Sequence, residues 1–304
     1  MNKVILIAGP TASGKSDLAI FLAKKLRGEI INADSMQVYK EVKILSARPA
    51  KYQKIKHHFY GFFSVKKKFS TGDWLKLTER KIRDILKRKK IPIIVGGTGL
   101  YFKAITDGMA TIPNISQAKR NQIIKEFNQI GSDLFYKKLI NLDPKIKNII
   151  KPNDKQRMIR FYEIIKFTNK SILDWQKNTK NNLSDLEFKK IYLNIPRENL
   201  LKKIEVRFKK MIKSGALNEV KKFKKLKLKP SLSANHILGI KEIQMFLDKK
   251  ISLNEAIDLS IIRTRQYVKR QLTWFRGQMK DWTEFNDINQ ANLRKKILKY
   301  LRTS

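Results

Sequence analysis

The chain has 304 residues, 67 of them Lys or Arg against 26 Asp or Glu, a net charge of +41 that attracts polyanions. That length supports one large or two modest domains, and 42% hydrophobic with 10% aromatic residues excludes wholesale disorder. The absence of cysteine excludes disulfides, thiolate metal sites and thiol nucleophiles, the three histidines make a poor metal cage, and no stretch approaches the ~20 apolar residues of a membrane span.

Val4–Ala8 is a short apolar run that predicts a buried strand. It leads into Gly9-Pro10-Thr11-Ala12-Ser13-Gly14-Lys15-Ser16, which fits G-x-x-x-x-G-K-[ST]. Glycines there let successive N–H groups turn toward one anionic centre. Lys15 adds a mobile positive charge, Ser16 a hydroxyl for a divalent cation, and the following helix its positive end. Strand, loop and helix in that order predict a di- or triphosphate site; a plain Gly/Ser turn before a helix is the alternative. Helical spacing continues over 17–27, and a strand over 29–33 ends at Asp34. Then come a helix over 74–90, a strand over 91–95, the turn Gly96-Gly97-Thr98-Gly99, and a helix over 100–105 that Thr98 can cap. Repeated strand–helix units predict an α/β fold, a P-loop-type parallel sheet flanked by helices, with ligands at the carboxyl ends of its strands. The phosphate loop, Asp34 and Thr98 each lie just past such an end and are expected to meet at one cleft.

Residues 116–176 carry only helical patterns, broken near Gly131-Ser132, Asp143-Pro144 and Pro152-Asn153-Asp154. An inserted all-helical subdomain is expected over 113–188, with the α/β core and its C-terminal basic helices built from 1–112 and 189–304. Residues 178–184 look like a linker. A strand over 190–195 returns to the sheet, a helix runs from Pro196 to about Lys213, and another spans 252–275. Residues 280–304 are polar and basic and are expected to pack loosely. The N-terminus shows no signal-peptide pattern, so a soluble, cytoplasmic protein is expected.

Five segments could carry chemistry. Asp34-Ser35-Met36-Gln37 places a carboxylate where it faces a bound phosphate, as metal ligand, general base or simply a turn cap. Thr98 offers a hydroxyl beside the glycine turn, or only a helix cap. Gln156-Arg157-Met158-Ile159-Arg160 opens a helix with Gln156 and Arg160 on one face, suited to base edges and phosphates or to solvent. Arg207, with Lys203 and Lys210 near it, could reach an anion. The stretch 263–276 interleaves five cations with Tyr267, Trp274 and Phe275, a pattern that suits RNA, although an amphipathic helix with aromatics in the core fits as well.

Seven blocks in order, GPTASGKS, NADSMQVYK, VGGTGLYFKA, NDKQRMIR, RFKKMIKSGALNEV, HILGIKE and TRQYVKRQLTWFR, make the chain similar to the tRNA dimethylallyltransferases, the tRNA isopentenyltransferases of the IPP transferase family, over about residues 3–277. The resemblance implies transfer of a dimethylallyl group from dimethylallyl diphosphate to the exocyclic N6 amine of the adenosine just 3′ of the tRNA anticodon. The phosphate loop then holds a diphosphate leaving group rather than ATP, with Mg²⁺ as counter-ion facing Ser16. Asp34 matches the family's general base and Thr98 the residue that helps the diphosphate leave. Gly9 to Ser16 and Arg207 match its diphosphate site. Asp34, Ser35, Met36, Gln37, Thr98, Arg120, Gln156 to Arg160, His236, Gly239 and Lys241 fall where the family contacts the anticodon stem-loop. The family's usual Gly-Tyr is Gly239-Ile240 here, which removes an aromatic from that block. A monomer is expected, with no membrane partner. A phosphate-loop kinase of a small metabolite and a non-catalytic RNA-binding protein are the rival readings.

Overall fold

The computed structural model describes residues 2–49 and 54–303. The chain forms two compact units, Met1–Thr106 with Leu183–Ser304, and Asp107–Asn182. The first unit holds one sheet of six strands, all pairing in parallel: β1 (Lys3–Ala8), β2 (Gly28–Asn32), β3 (His57–His58), β4 (Ile91–Gly96), β5 (Glu187–Leu193) and β6 (Thr283–Phe285), in the spatial order β3-β2-β4-β1-β5-β6. The central strands are almost wholly apolar because helices cover both faces. On one face, α1 (Lys15–Lys25) and α11 (Gln290–Arg302) bury leucines and isoleucines against β1 and β4. On the other lie α2 (Thr71–Lys87), α3 (Gly99–Asp107) and the end of α10 (Leu253–Gln278).

Local chemistry fixes several boundaries. Ser70 and Asp73 form a reciprocal capping box that starts α2, three residues earlier than its apolar spacing suggests. Trp74 stacks on Tyr101 at 4.1 Å and donates its indole N–H to the Asn32 carbonyl at 2.8 Å, tying α2 and α3 to the end of β2. The returning strand β5 begins three residues before the apolar stretch that announced it, because Glu187–Lys189 pair with Lys3–Ile5 across the edge of β1. Near the start of β2, Glu29 is buried. Burial pushes its carboxyl up, but hydrogen bonds from Arg88, His58 and Lys90 overcome that and hold it well below the usual carboxylate range.

A third group of helices packs against the loop after β2: α7 (Arg197–Lys213), α8 (Ala216–Lys225) and α9 (Ile240–Leu247), together with the first half of α10. The second unit is helical, with α4 (Gln117–Leu142), α5 (Lys155–Thr168) and α6 (Ile172–Lys177) around a core of Phe127, Phe135, Met158 and Tyr162. Gly131, at φ 78°, breaks α4 where the sequence shows Gly131-Ser132.

The end of the chain corrects one expectation. Residues 280–304 do not pack loosely: β6 extends the sheet beside β5, and α11 buries Leu293, Ile297 and Leu301. Those three recur every four residues, a stripe outnumbered by the helix's five lysines and arginines but sufficient to dock. Ile297→Ala is accordingly expected to lower stability by about 3 kcal/mol in chemical denaturation; a change below ~0.5 kcal/mol would contradict the docked helix.

Candidate active site

Three strands end together and deliver three polar segments to one cleft. β1 ends at Ala8 and passes into the phosphate loop, where Gly14, at φ 87°, caps the N-terminus of α1. Lys15 Nζ donates to the Pro10 carbonyl at 2.7 Å, across the loop. Ser13 Oγ is buried and has no hydrogen-bond partner among the described residues. Gly9 and Pro10 shape the loop's entry, and Thr11 to Ser16 line a cavity of about 470 Å³ together with Asp34, Gln37, Tyr60, Lys203 and Arg207.

Asp34 comes just after β2 and is held from three sides. Asn32 accepts the Asp34 N–H with its Oδ1 at 3.0 Å and donates from Nδ2 to the Asp34 carbonyl at 3.0 Å. The Asp34 Oδ1 accepts the Met36 N–H at 2.9 Å, an Asx turn that fixes the carboxylate. The Ser35 N–H donates to Thr98 Oγ1 at 2.9 Å, so the turn after β4 braces the turn after β2. Thr98 spends its hydroxyl on Ser35. The close approach for which its glycine neighbours exist is made by α10: a Cβ on Gly99 would lie 2.2 Å from the Trp274 ring.

Arg207 enters from α7. Its guanidinium donates to Thr11 Oγ1 and to the Ala47 carbonyl, both at 3.3 Å. Gln37 reaches the same loop from the other side, donating to the carbonyls of Ser46 and Ala47. That loop is held by Glu219 of α8, whose carboxylate accepts the N–H groups of Lys43, Ile44 and Leu45 at 2.6–2.9 Å. Sequence reading missed Glu219 and Asn32; a carboxylate satisfying three consecutive amides 175 residues away leaves no local pattern.

The electrostatics reflect this crowding. Burial pulls the Lys15 ammonium down to about 8, Asp34 opposing and Arg207 adding to the shift. Burial pushes the Asp34 carboxyl above its ordinary value, against the Met36 N–H, Lys15 and Arg207. Tyr60 and Tyr267 are both raised by burial, with Asp34 adding to it, and stay protonated as donors.

Asp34, Thr11, Ala47 and Arg207 also line a second cavity, of about 250 Å³, whose other walls include Met36, Leu45, Phe208, Ile237 and Tyr267. The two cavities therefore meet at Asp34: one polar and lined by the phosphate loop, the other largely apolar. His236 is exposed and lies at the border between this second cavity and a basic third one that Lys241 and Arg270 also line. Gly239, at φ 88°, is buried against Phe208, where a Cβ would come within 2.9 Å.

In the helical unit, Asp154 caps α5 through the Arg157 N–H and pairs with the Arg157 side chain. Gln156 and Arg157 are exposed. Arg120 and Arg160 converge on the buried Glu163, at 3.6 and 2.6 Å. Met158 and Ile159 are core residues of this unit, so their side chains anchor α5 instead of offering a surface.

A phosphate cradle with a carboxylate opposite, opening onto an apolar pocket, defines the site of a group-transfer enzyme rather than a passive binding module. Comparison with known proteins agrees. The family profile described as "IPP transferase" matches residues 37–278, and one described as "Isopentenyl transferase" matches 2–60. A tRNA dimethylallyltransferase of Pelagibacter ubique is 51% identical over 300 residues, 98% of this chain and 96% of the relative. The crystal structure of a tRNA isopentenylpyrophosphate transferase from Bacillus halodurans is 31% identical with a TM-score of 0.72, covering 99% of this chain and 96% of that one. A eukaryotic dimethylallyltransferase captured acting on tRNA is 30% identical with a TM-score of 0.82, covering 98% and 78%. The chain belongs to the IPP transferase family and is a transferase. No helix among the described residues is long and apolar enough to cross a membrane.

Proposed function

We propose that this chain transfers the dimethylallyl group of dimethylallyl diphosphate to the N6 amine of the adenosine just 3′ of the anticodon in tRNA. The observation that carries this reading is Asp34 at the junction of the two cavities. The phosphate-loop cavity takes the diphosphate, with backbone N–H groups, Lys15 and Arg207 placed to neutralise charge as the allylic C–O bond breaks. The second cavity admits an unstacked adenine, since an amine inside a base stack is out of reach. The N6 lone pair attacks C1 of the prenyl group, diphosphate leaves, and Asp34 takes the N6 proton. Thr98, whose hydroxyl is bonded to Ser35, assists the reaction by holding the turn that carries Asp34.

Mg²⁺ fits the donor set. Ser16 and Asp34 supply oxygens to the phosphate cavity, and the described residues contain no cluster of three metal-ligating side chains. A Mg²⁺ bound there would be held by Ser16 and Asp34 together with the diphosphate. It supplies charge neutralisation for the leaving group. Ser35 to Gln37, His236, Gly239 and Lys241, with Arg120, Gln156, Arg157 and Arg160 of the helical unit, are the proposed tRNA contacts. The diphosphate and base cavities are both built from one unit of one chain, which supports action as a monomer. A tRNA substrate is consistent with action in the cytoplasm.

Labelled dimethylallyl diphosphate, incubated with tRNA bearing an adenosine-rich anticodon loop, is expected to pass its label to the RNA. ADP formation from ATP and a small metabolite, without labelled RNA, would establish the kinase reading instead. Affinity for tRNA is expected to fall steeply between 50 and 200 mM salt, by about 10²-fold or more, as displaced counter-ions dominate binding. A flat response in a filter-binding titration would show that the positive charge of the chain does not face RNA.

A further inference from the structure

Gln271 is a polar side chain at a position that helical spacing assigns to the core. It lies on the buried stripe of α10 between Val268 and Phe275 and is only 6% exposed. Both ends of its amide are used. Oε1 accepts the Thr11 N–H at 3.0 Å, and Nε2 donates to the Gly97 carbonyl at 2.8 Å. One side chain thus joins the phosphate loop to the turn that carries Thr98. The turn is shaped to admit it: a Cβ on Gly97 would sit 2.4 Å from Gln271 Nε2. The same helix presents Thr264, Tyr267 and Arg270 to the apolar cavity.

We infer that Gln271 is a positioning residue for the transfer reaction. It sets the spacing between the diphosphate cradle and the Gly97–Gly99 turn, and couples that spacing to the helix that walls the base cavity. The inference rests on the prenyl-transfer reading above. Gln271 touches neither substrate; it acts through Thr11 and Gly97. A neutral amide of this length satisfies both partners, because one bond needs an acceptor and the other a donor. Leu fills the volume and makes neither bond. Glu accepts from Thr11 but, ionised, turns a second acceptor toward the Gly97 carbonyl; protonated, it restores the missing donor.

The test uses Gln271→Leu and Gln271→Glu in the full chain, with label transfer, inorganic diphosphate affinity and thermal melting measured for each. Gln271→Leu is expected to lower kcat by about 10- to 100-fold, since two buried backbone groups lose their partners, while KM for tRNA moves less than about twofold. It is also expected to weaken diphosphate binding by about tenfold. For Gln271→Glu, activity relative to wild type at the same pH is expected to climb as pH falls and the carboxyl protonates; a merely structural role predicts a flat ratio. Wild-type kcat and diphosphate affinity in Gln271→Leu, or that flat ratio, would overturn the inference. If Gln271→Leu does not fold, Gly97→Ala evicts the same amide by contact and is held to the same expectations. If the wild-type protein transfers no label to RNA, the functional reading falls. Diphosphate affinity then decides alone: unchanged in Gln271→Leu overturns the positioning role, and weakened about tenfold supports it.

Discussion

Asp34→Asn is expected to transfer the prenyl group at about one thousandth of the wild-type rate while keeping its affinity for tRNA. The substitution is close to isosteric, and the amide oxygen can still accept the Met36 N–H that now meets Oδ1 at 2.9 Å. The turn therefore persists, along with its braces from Asn32 and Thr98. The capacity to take a proton from N6 as the nitrogen attacks disappears. Asp34→Ala removes the Asx turn as well and is expected to be no more active. The wild-type pH profile carries the same information. Because burial raises the Asp34 carboxyl, the base is ionised above that raised value and lost as pH falls through it. The acid limb of kcat/KM is expected above the range of an ordinary aspartate and absent from the residual activity of Asp34→Asn. Unchanged turnover in Asp34→Asn would remove Asp34 from the role of base.

Lys15→Met is expected to lower kcat/KM for the prenyl donor by about 10²- to 10³-fold, the scale of removing one pre-set charge from a developing anion. Its pH behaviour separates this from simple damage to the loop. In the free enzyme the Lys15 ammonium titrates at about 8, so its charge is present below that pH and lost above it. Donor capture by the wild type is expected to decline above pH 8, although bound diphosphate draws the proton back. Lys15→Arg retains its charge throughout, so the alkaline limb is expected to move upward past the range of the measurement, even though the bulkier fork lowers the plateau. An alkaline limb at the same pH in both proteins would assign that titration to another group. The donor's own ionisation is common to the two profiles and cancels in the comparison.

The parallel sheet was legible because its strands are short apolar runs closed by turn residues, and because the phosphate loop dictates a turn and a helix after β1. The convergence of Asp34 and Thr98 on that loop came from the rule that parallel strands deliver their ends to one edge. The contacts that hold the site were not legible. Asn32, Glu219 and Gln271 each satisfy backbone groups, and a backbone amide has no letter in the sequence. Gln271 did leave a trace: it interrupts an apolar stripe at helical spacing, where an uncharged polar side chain must have buried partners. Met158 and Ile159 show the opposite error. Their neighbours Gln156 and Arg157 are polar and exposed, but successive helical positions turn by about 100°, and Met158 and Ile159 both fall within the stripe that faces the core. The C-terminal helix was hidden by its five lysines and arginines, which outnumber the three residues that dock.

The position of β1 between β4 and β5 orders the birth of the molecule on the ribosome. β5 is synthesised only after the entire helical unit, and β6 and α11 some 90 residues later still. The nascent chain therefore emerges with one flank of its central strand unpaired, carrying buried-type isoleucines and leucines in the open. The helical unit, whose contacts are local, closes fast, while the sheet waits for β5 and β6 to be made. A premature stop after the last family motif would leave α1 without α11 and β5 without β6, making messages truncated there a source of aggregation rather than of a shortened enzyme.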